Sequence, residues 1–212
     1  MFGFENFTRG AERGSRRSAS MIYRCMKYLK SFVNFIDESL NPNNFSDYNS
    51  NKVLPDLDQL RIVDIKFIEG SNKWHHSKDK LVHMIIDLGE WEEFPSNMIP
   101  NFYENIKKFI PSMQSHRCSE GRSGGFFYRV NRGTWLGHII EHIALELQTL
   151  AGYDTGFGRT RQTDKKGEYN VIFNYEDKKS GEIAAIEAVR VVKDIIKGED
   201  PDINQSLERI RK

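Results

Sequence analysis

The chain has 212 residues and a formal net charge of +1, with 38% hydrophobic and 29% charged residues. That balance suits a packed core in one domain plus an extension, and it supplies no global electrostatic drive toward nucleic acid or an acidic membrane. No apolar run reaches the roughly 18 residues a spanning helix needs, and no secretory signal opens the sequence; its two cysteines, Cys25 and Cys118, are too few for a disulfide scaffold, so the reading is a cytoplasmic protein.

The first sixty residues differ from the rest. Arg9, Arg13, Arg16 and Arg17 alternate with Gly, Ser and Ala, a composition that predicts a disordered basic arm. Between Met21 and Ile36 the apolar residues recur at helical spacing, which fits a helix docked on the main domain or one that lies on a membrane surface or partner. Residues 41–52 lack periodicity and read as a linker. This division gives an extension over 1–58, a compact domain over 59–198 and a C-terminal linker helix over 199–212.

Within the compact region, Arg61–Ile68 alternates apolar and polar residues and predicts a strand. Lys80–Leu88 predicts a second. Pro100 near the start of a stripe formed by Phe102, Ile106, Phe109 and Ile110 predicts a helix. Residues 116–125 read as a Gly-rich loop. A helix is expected over about residues 135–150, with Thr134 as N-cap and Gly152 as its stop. Residues 158–163 and 169–175 predict a hairpin across an Asp-Lys-Lys-Gly turn. Gly181–Ile196 is amphipathic, and a short charged helix ends the chain. The fold class is α+β, a small mostly antiparallel sheet covered by helices.

The chemistry concentrates in Gly137-His138-Ile139-Ile140-Glu141-His142. His138 and His142 lie one helical turn apart, so their rings can converge on one point. Glu141 sits ~60° around the helix from His138, on the same broad face. Two imidazoles at this spacing with a carboxylate beside them form the H-x-x-E-H pattern of inverzincin metallopeptidases. There the imidazoles hold a divalent metal, zinc above all, and the glutamate acts on water. Glu146, one turn beyond His142, is a candidate third ligand or an acceptor for a ring N–H. His116, Cys118 and Glu187 are further candidate ligands. The alternative is a buried histidine pair satisfied by Glu141 and Glu146 with no metal.

Three other features stand out. Residues 121–125 (GRSGG) can cradle an anion or form a plain turn, and their spacing matches no P-loop. Arg159 and Arg161, two apart on a strand, project the same way and can clamp substrate carboxylates; surface ion pairs are the alternative. His75 and His76 read as a solvent-facing loop pair.

Several runs resemble the N-terminal domain of cyanophycin synthetases: Gly89-Glu90-Trp91-Glu92-Glu93-Phe94-Pro95-Ser96-Asn97, His116-Arg117-Cys118-Ser119, Gly124-Gly125-Phe126-Phe127, and above all residues 133–152 and 156–161. The likeness extends from about residue 61 to the end. Tyr128 and Asn174 depart from it, standing where the family often has glutamates. The resemblance implies binding of cyanophycin, a poly-aspartate with arginine on each side chain, and hydrolysis to primers with Glu141 as base beside a metal on His138 and His142. Arg159, Arg161 and the acidic Glu90, Glu92 and Glu93 then meet the polymer's charges. It also implies ATP-dependent ligase domains beyond this chain's end, joined in one polypeptide or a homo-oligomer. No ATP-binding motif occurs here, so ligation is not expected of this chain alone; it reads as a fragment, a truncated product or a stand-alone relative.

Overall fold

The computed structural model describes residues 53–75 and 80–212. The basic arm, the helix expected over Met21–Ile36, the linker over 41–52 and His76 fall outside the described residues.

Four strands form one sheet: β1 (Arg61–Ile68), β2 (Leu81–Asp87), β3 (Gly158–Gln162) and β4 (Glu168–Asn174), in the order β1-β2-β4-β3. Every ladder is antiparallel, with a register shift between Ile62 and Asp64 in β1. The expected α+β class is therefore what forms. Alternation explains the two faces. Val82, Met84, Ile86, Val171 and Phe173 are buried in the main core, whereas Leu81 and Ile172 join Trp74 in a small second cluster.

Five α-helices lie among the described residues: α1 (Phe102–Phe109), α2 (Gly125–Arg132), α3 (Leu136–Ala151), α4 (Lys178–Lys197) and α5 (Ile203–Arg211). The helix α3 is buried nearly all round, including Ile139, Ile140, Ile143, Ala144 and Leu147, as expected of a helix at the centre of a domain. It packs against β3 and β4 on one side and against α4 and α5 on the other. Gly137 allows the close approach, because a Cβ there would stand 3.4 Å from Ile86 and Thr160 side-chain atoms. Asp177 caps α4 by accepting from the Ser180 N–H at 2.8 Å, which starts the helix at Lys178, before the apolar stripe begins. Glu187 of α4 accepts from Arg190, Ser206 and Arg209 at 2.6–2.9 Å, tying α5 down through ion pairs whose carboxylate is buried while the guanidinium of Arg209 stays exposed.

One local expectation needs correction, and one helix is not anticipated by the sequence. Thr134 does not cap α3. Trp135 holds the cap position without a side-chain bond, and Thr134 instead exchanges hydrogen bonds with Ser96 through N–H to Oγ (2.9 Å) and carbonyl to N–H (2.8 Å). The segment after the Gly-rich loop is helical, giving α2. Gly125 starts it where a Cβ would fall 1.9 Å from the Arg117 carbonyl oxygen, so only glycine fits.

Candidate metal centre

The helical spacing works as expected within α3. His138, Glu141, His142 and Glu146 all turn toward one side, where a cavity of about 780 Å³ opens between α3, the 116–119 loop and β3. Burial on a helix with so few polar neighbours sets their charge. His138 is pushed down to about 4 by desolvation and by the nearby Arg129, and His142 to about 2 by desolvation and the neighbouring histidines and Arg129. Both imidazoles are therefore neutral at pH 7, the form that carries a ligating lone pair.

A third donor arrives from outside the helix. Cys118 sits in a short 3-10 turn, Cys118–Glu120, at φ 51°, a left-handed conformation that non-glycine residues adopt chiefly where local structure compels it. Its Sγ lies 3.2 Å from His138 Nε2. Ligand atoms of Cys118, His138 and His142 all fall within 4.8 Å of one another. Two neutral imidazoles and a thiol form a donor set that suits zinc and leaves a fourth position open.

Glu146 does not point into that triangle. Its Oε2 lies 2.7 Å from His116 Nε2, and His116 Nδ1 lies 2.9 Å from His142 Nδ1. Burial pushes Glu146 up, but hydrogen bonds from His116 and Ser112 outweigh it and hold the carboxyl below its ordinary range. With Glu146 ionised and a single proton on the His116 ring, His116 donates from Nε2 and accepts at Nδ1, and His142 donates from Nδ1. The lone pair of His142 is then left on Nε2. Glu187, the remaining sequence candidate, lies in the α4–α5 ion-pair network instead.

Glu141 lies beside the cluster. Thr160 Oγ1 of β3 donates to its Oε2 at 2.6 Å. Desolvation raises it to about 7, partly offset by the Thr160 hydrogen bond and by Arg159. Gly158 makes room for it, since a Cβ there would come within 2.3 Å of Glu141 Oε1. Neither Thr160 nor Gly158 carries a signal in the sequence, because their roles depend on which strand passes over α3. The same alternation that turns Thr160 toward Glu141 turns Arg159 and Arg161 the other way. Arg159 lines the cavity and donates to the Trp74 carbonyl at 3.2 Å, whereas Arg161 is exposed beyond it. The acidic Glu92 and Glu93 are engaged by Gln162 and Lys166. Asn174 accepts from the Gly156 and Phe157 N–H groups at 3.0 and 2.9 Å and so shapes the loop leading into β3. Tyr128 is exposed, flanked by Arg122 and Arg132.

Fold and site together define an α+β domain in which a helix-borne histidine pair meets a cysteine from a separate turn, with an adjacent buried carboxylate. The chain belongs to the cyanophycin synthase-like N-terminal domain family, which it matches over residues 83–197, more than half its length. It is 47% identical over 137 residues to the cyanophycin synthetase of Geminocystis herdmanii, covering 65% of this chain and 16% of that protein. It is 42% identical over 155 residues to the enzyme of that name from Synechocystis, covering 72% and 18%, and 43% identical over 155 residues to that from Trichormus variabilis, covering 72% and 17%. The chain thus spans about a sixth of the length of these relatives. Among the described residues no helix is long and apolar enough to cross a membrane.

Proposed function

We propose that this domain binds cyanophycin and hydrolyses its amide chain at a metal held by Cys118, His138 and His142, with Glu141 as the general base. One observation carries the reading: three donors of zinc-type chemistry converge within 4.8 Å at the wall of a cavity that Glu141 also lines. Zinc bound there supplies Lewis-acid polarisation of the scissile carbonyl and activation of the attacking water. The remaining work belongs to the protein. Glu141, raised to about 7, is poised to take a proton from that water and pass it to the leaving amine as the C–N bond breaks and a C–O bond forms. Thr160 holds the carboxylate toward the cavity. Glu146 acts through His116 to fix the ring of His142, the supporting role a carboxylate commonly plays behind a metal-bound histidine. Glu146 as a direct ligand would require it to leave His116.

The test is cleavage of purified cyanophycin by protein loaded with zinc. The polymer shortens with wild type. Glu141→Gln retains zinc and loses at least about a hundredfold in rate, the lower end of what general-base catalysis contributes. Unchanged polymer length with zinc-loaded wild type removes the hydrolase. Binding without cleavage is a second reading with its own support. Arg117 and Arg159 line the cavity, and Arg129 lies behind it on Ser119, near enough to act on His138 and His142; none has an ion pair to a carboxylate among the described residues, leaving them available to a polymer rich in carboxylates.

A further inference from the structure

The strand that flanks the cavity is an edge strand. In the order β1-β2-β4-β3, only one side of β3 is paired among the described residues. Its register tells which groups that leaves over. The Asn174 N–H donates to the Phe157 carbonyl at 3.0 Å, and the Thr163 N–H donates to the Glu168 carbonyl at 2.8 Å. With Arg159 opposite Ile172 and Arg161 opposite Asn170, residues 157, 159, 161 and 163 therefore direct their main-chain groups toward β4. Gly158, Thr160 and Gln162 direct theirs to the free side. Gly158 and Thr160 line the same cavity as His138 and Glu141.

Exposed strand edges are templates for another chain, and proteins usually blunt them. Here the edge is neither capped by proline nor broken within β3, and glycine opens it beside the Glu141 carboxylate. Arg159 and Arg161 flank the free groups. They repel a second copy of this arginine-bearing edge and attract a chain that carries carboxylates.

We propose that the substrate docks as an added β-strand on the free edge of β3, its main chain bonded to the N–H and C=O groups of Gly158, Thr160 and Gln162. This rests on the hydrolase reading above and names the substrate's form: an extended polyamide main chain, with alternate side chains pointing toward Arg159 and Arg161. Strand addition gives affinity through the main chain and fixes register without reading individual side chains. It also places a main-chain amide over the centre, so the bond cut belongs to the aspartyl backbone and not to the arginine side-chain linkage. The added strand is held over a short stretch, since β3 spans five residues at ~3.3 Å each.

Amide hydrogen exchange by NMR tests this directly, using the zinc-loaded Glu141→Gln protein and, as a second non-cleaving sample, zinc-free wild type, each titrated with a short cyanophycin fragment. Binding slows exchange at Gly158, Thr160 and Gln162 by roughly tenfold or more, while Arg159 and Arg161, already paired to β4, change little. If the fragment binds, moving the signals of Thr149 and Thr155 in the cavity wall, yet the three edge amides exchange as before, strand addition is overturned and the hydrolase reading stands. If no binding occurs at millimolar fragment in either sample, both fall. Protection that grows with protein concentration and needs no fragment assigns the edge to a second copy and also overturns the proposal.

Discussion

The most consequential single group is Glu141, whose burial works against folding while giving it the proton affinity that the proposed general base requires. In the unfolded chain its carboxyl has the ordinary value of 4.5, and in the folded protein it is raised to about 7. Between those values the folded state holds a proton that the unfolded state has lost, so this group's contribution makes the protein less stable as pH rises through the window. His138 and His142 act in the opposite sense. Their folded values, about 4 and about 2, lie below 6.5, so the unfolded state binds protons that the folded state refuses, and stability recovers as pH rises toward 6.5. Glu141→Gln removes only the first effect. In metal-free protein the stability advantage of the variant over wild type grows by about 3 kcal/mol between pH 4.5 and pH 8, because each tenfold difference in proton affinity between the folded and unfolded states is worth about 1.36 kcal/mol. Urea unfolding at the two pH values measures it, and an advantage independent of pH would mean that the carboxyl is not held up by burial.

At the level of elements, the site is a collision point between α3 and β3, and Gly158 is where they meet. Replacing it by alanine puts a Cβ against the flexible end of the Glu141 side chain, not against backbone, so the carboxyl swings away while the strand stays. Gly158→Ala is expected to keep its zinc content and lose less than about 1.5 kcal/mol of stability, while hydrolysis falls by an order of magnitude or more as the base is displaced. Metal analysis, thermal unfolding and the cleavage assay separate these. Loss of zinc together with activity would show that the variant disturbs the cluster instead of the base. The same elements mark what the sequence makes legible. Alternation in Arg61–Ile68 and Lys80–Leu88 and the stripe of α4 come from local periodicity, so those elements are readable. The short helix α2 is not, because a run of glycines precedes it and its start depends on packing against the Arg117 carbonyl. Two of the clustered donors, His138 and His142, are legible because the helix repeat itself places them. Cys118 is only one candidate among several in the sequence, since a ligand brought in by a separate turn has no fixed spacing to the other two. Thr160 carries no local signal at all, and Glu146, though at helical spacing, is diverted by His116.

For the whole molecule, a net charge of +1 conceals an uneven distribution. Lys166, Arg190 and Arg209 are matched by acids, but Arg117 and Arg159 in the cavity wall and Arg129 behind it on Ser119 meet carbonyls, hydroxyls or solvent. The carboxylates at that site are inward and occupied: Glu141 by Thr160 and Glu146 by His116. In the proposed complex the carboxylate of each arginine unit meets cations with no competing acid partner, a short-range contact, since the guanidinium of the same unit cancels the polymer's net charge. That contact is screened once the Debye length shrinks from ~10 Å at 0.1 M salt to ~3 Å at 1 M. Each exposed guanidinium contributes only about 0.2–1 kcal/mol, so no single arginine decides binding. Arg117→Gln and Arg129→Gln together are expected to weaken polymer binding several-fold at low salt and to flatten its salt dependence, with little change at high salt, where the wild type has already lost the same attraction. Retention of the folded protein on immobilised cyanophycin across a salt gradient measures both effects. Equal salt slopes for wild type and the double variant would place the electrostatic contact elsewhere on the chain, and the cavity would then have to hold its substrate through the edge of β3 and the metal centre alone.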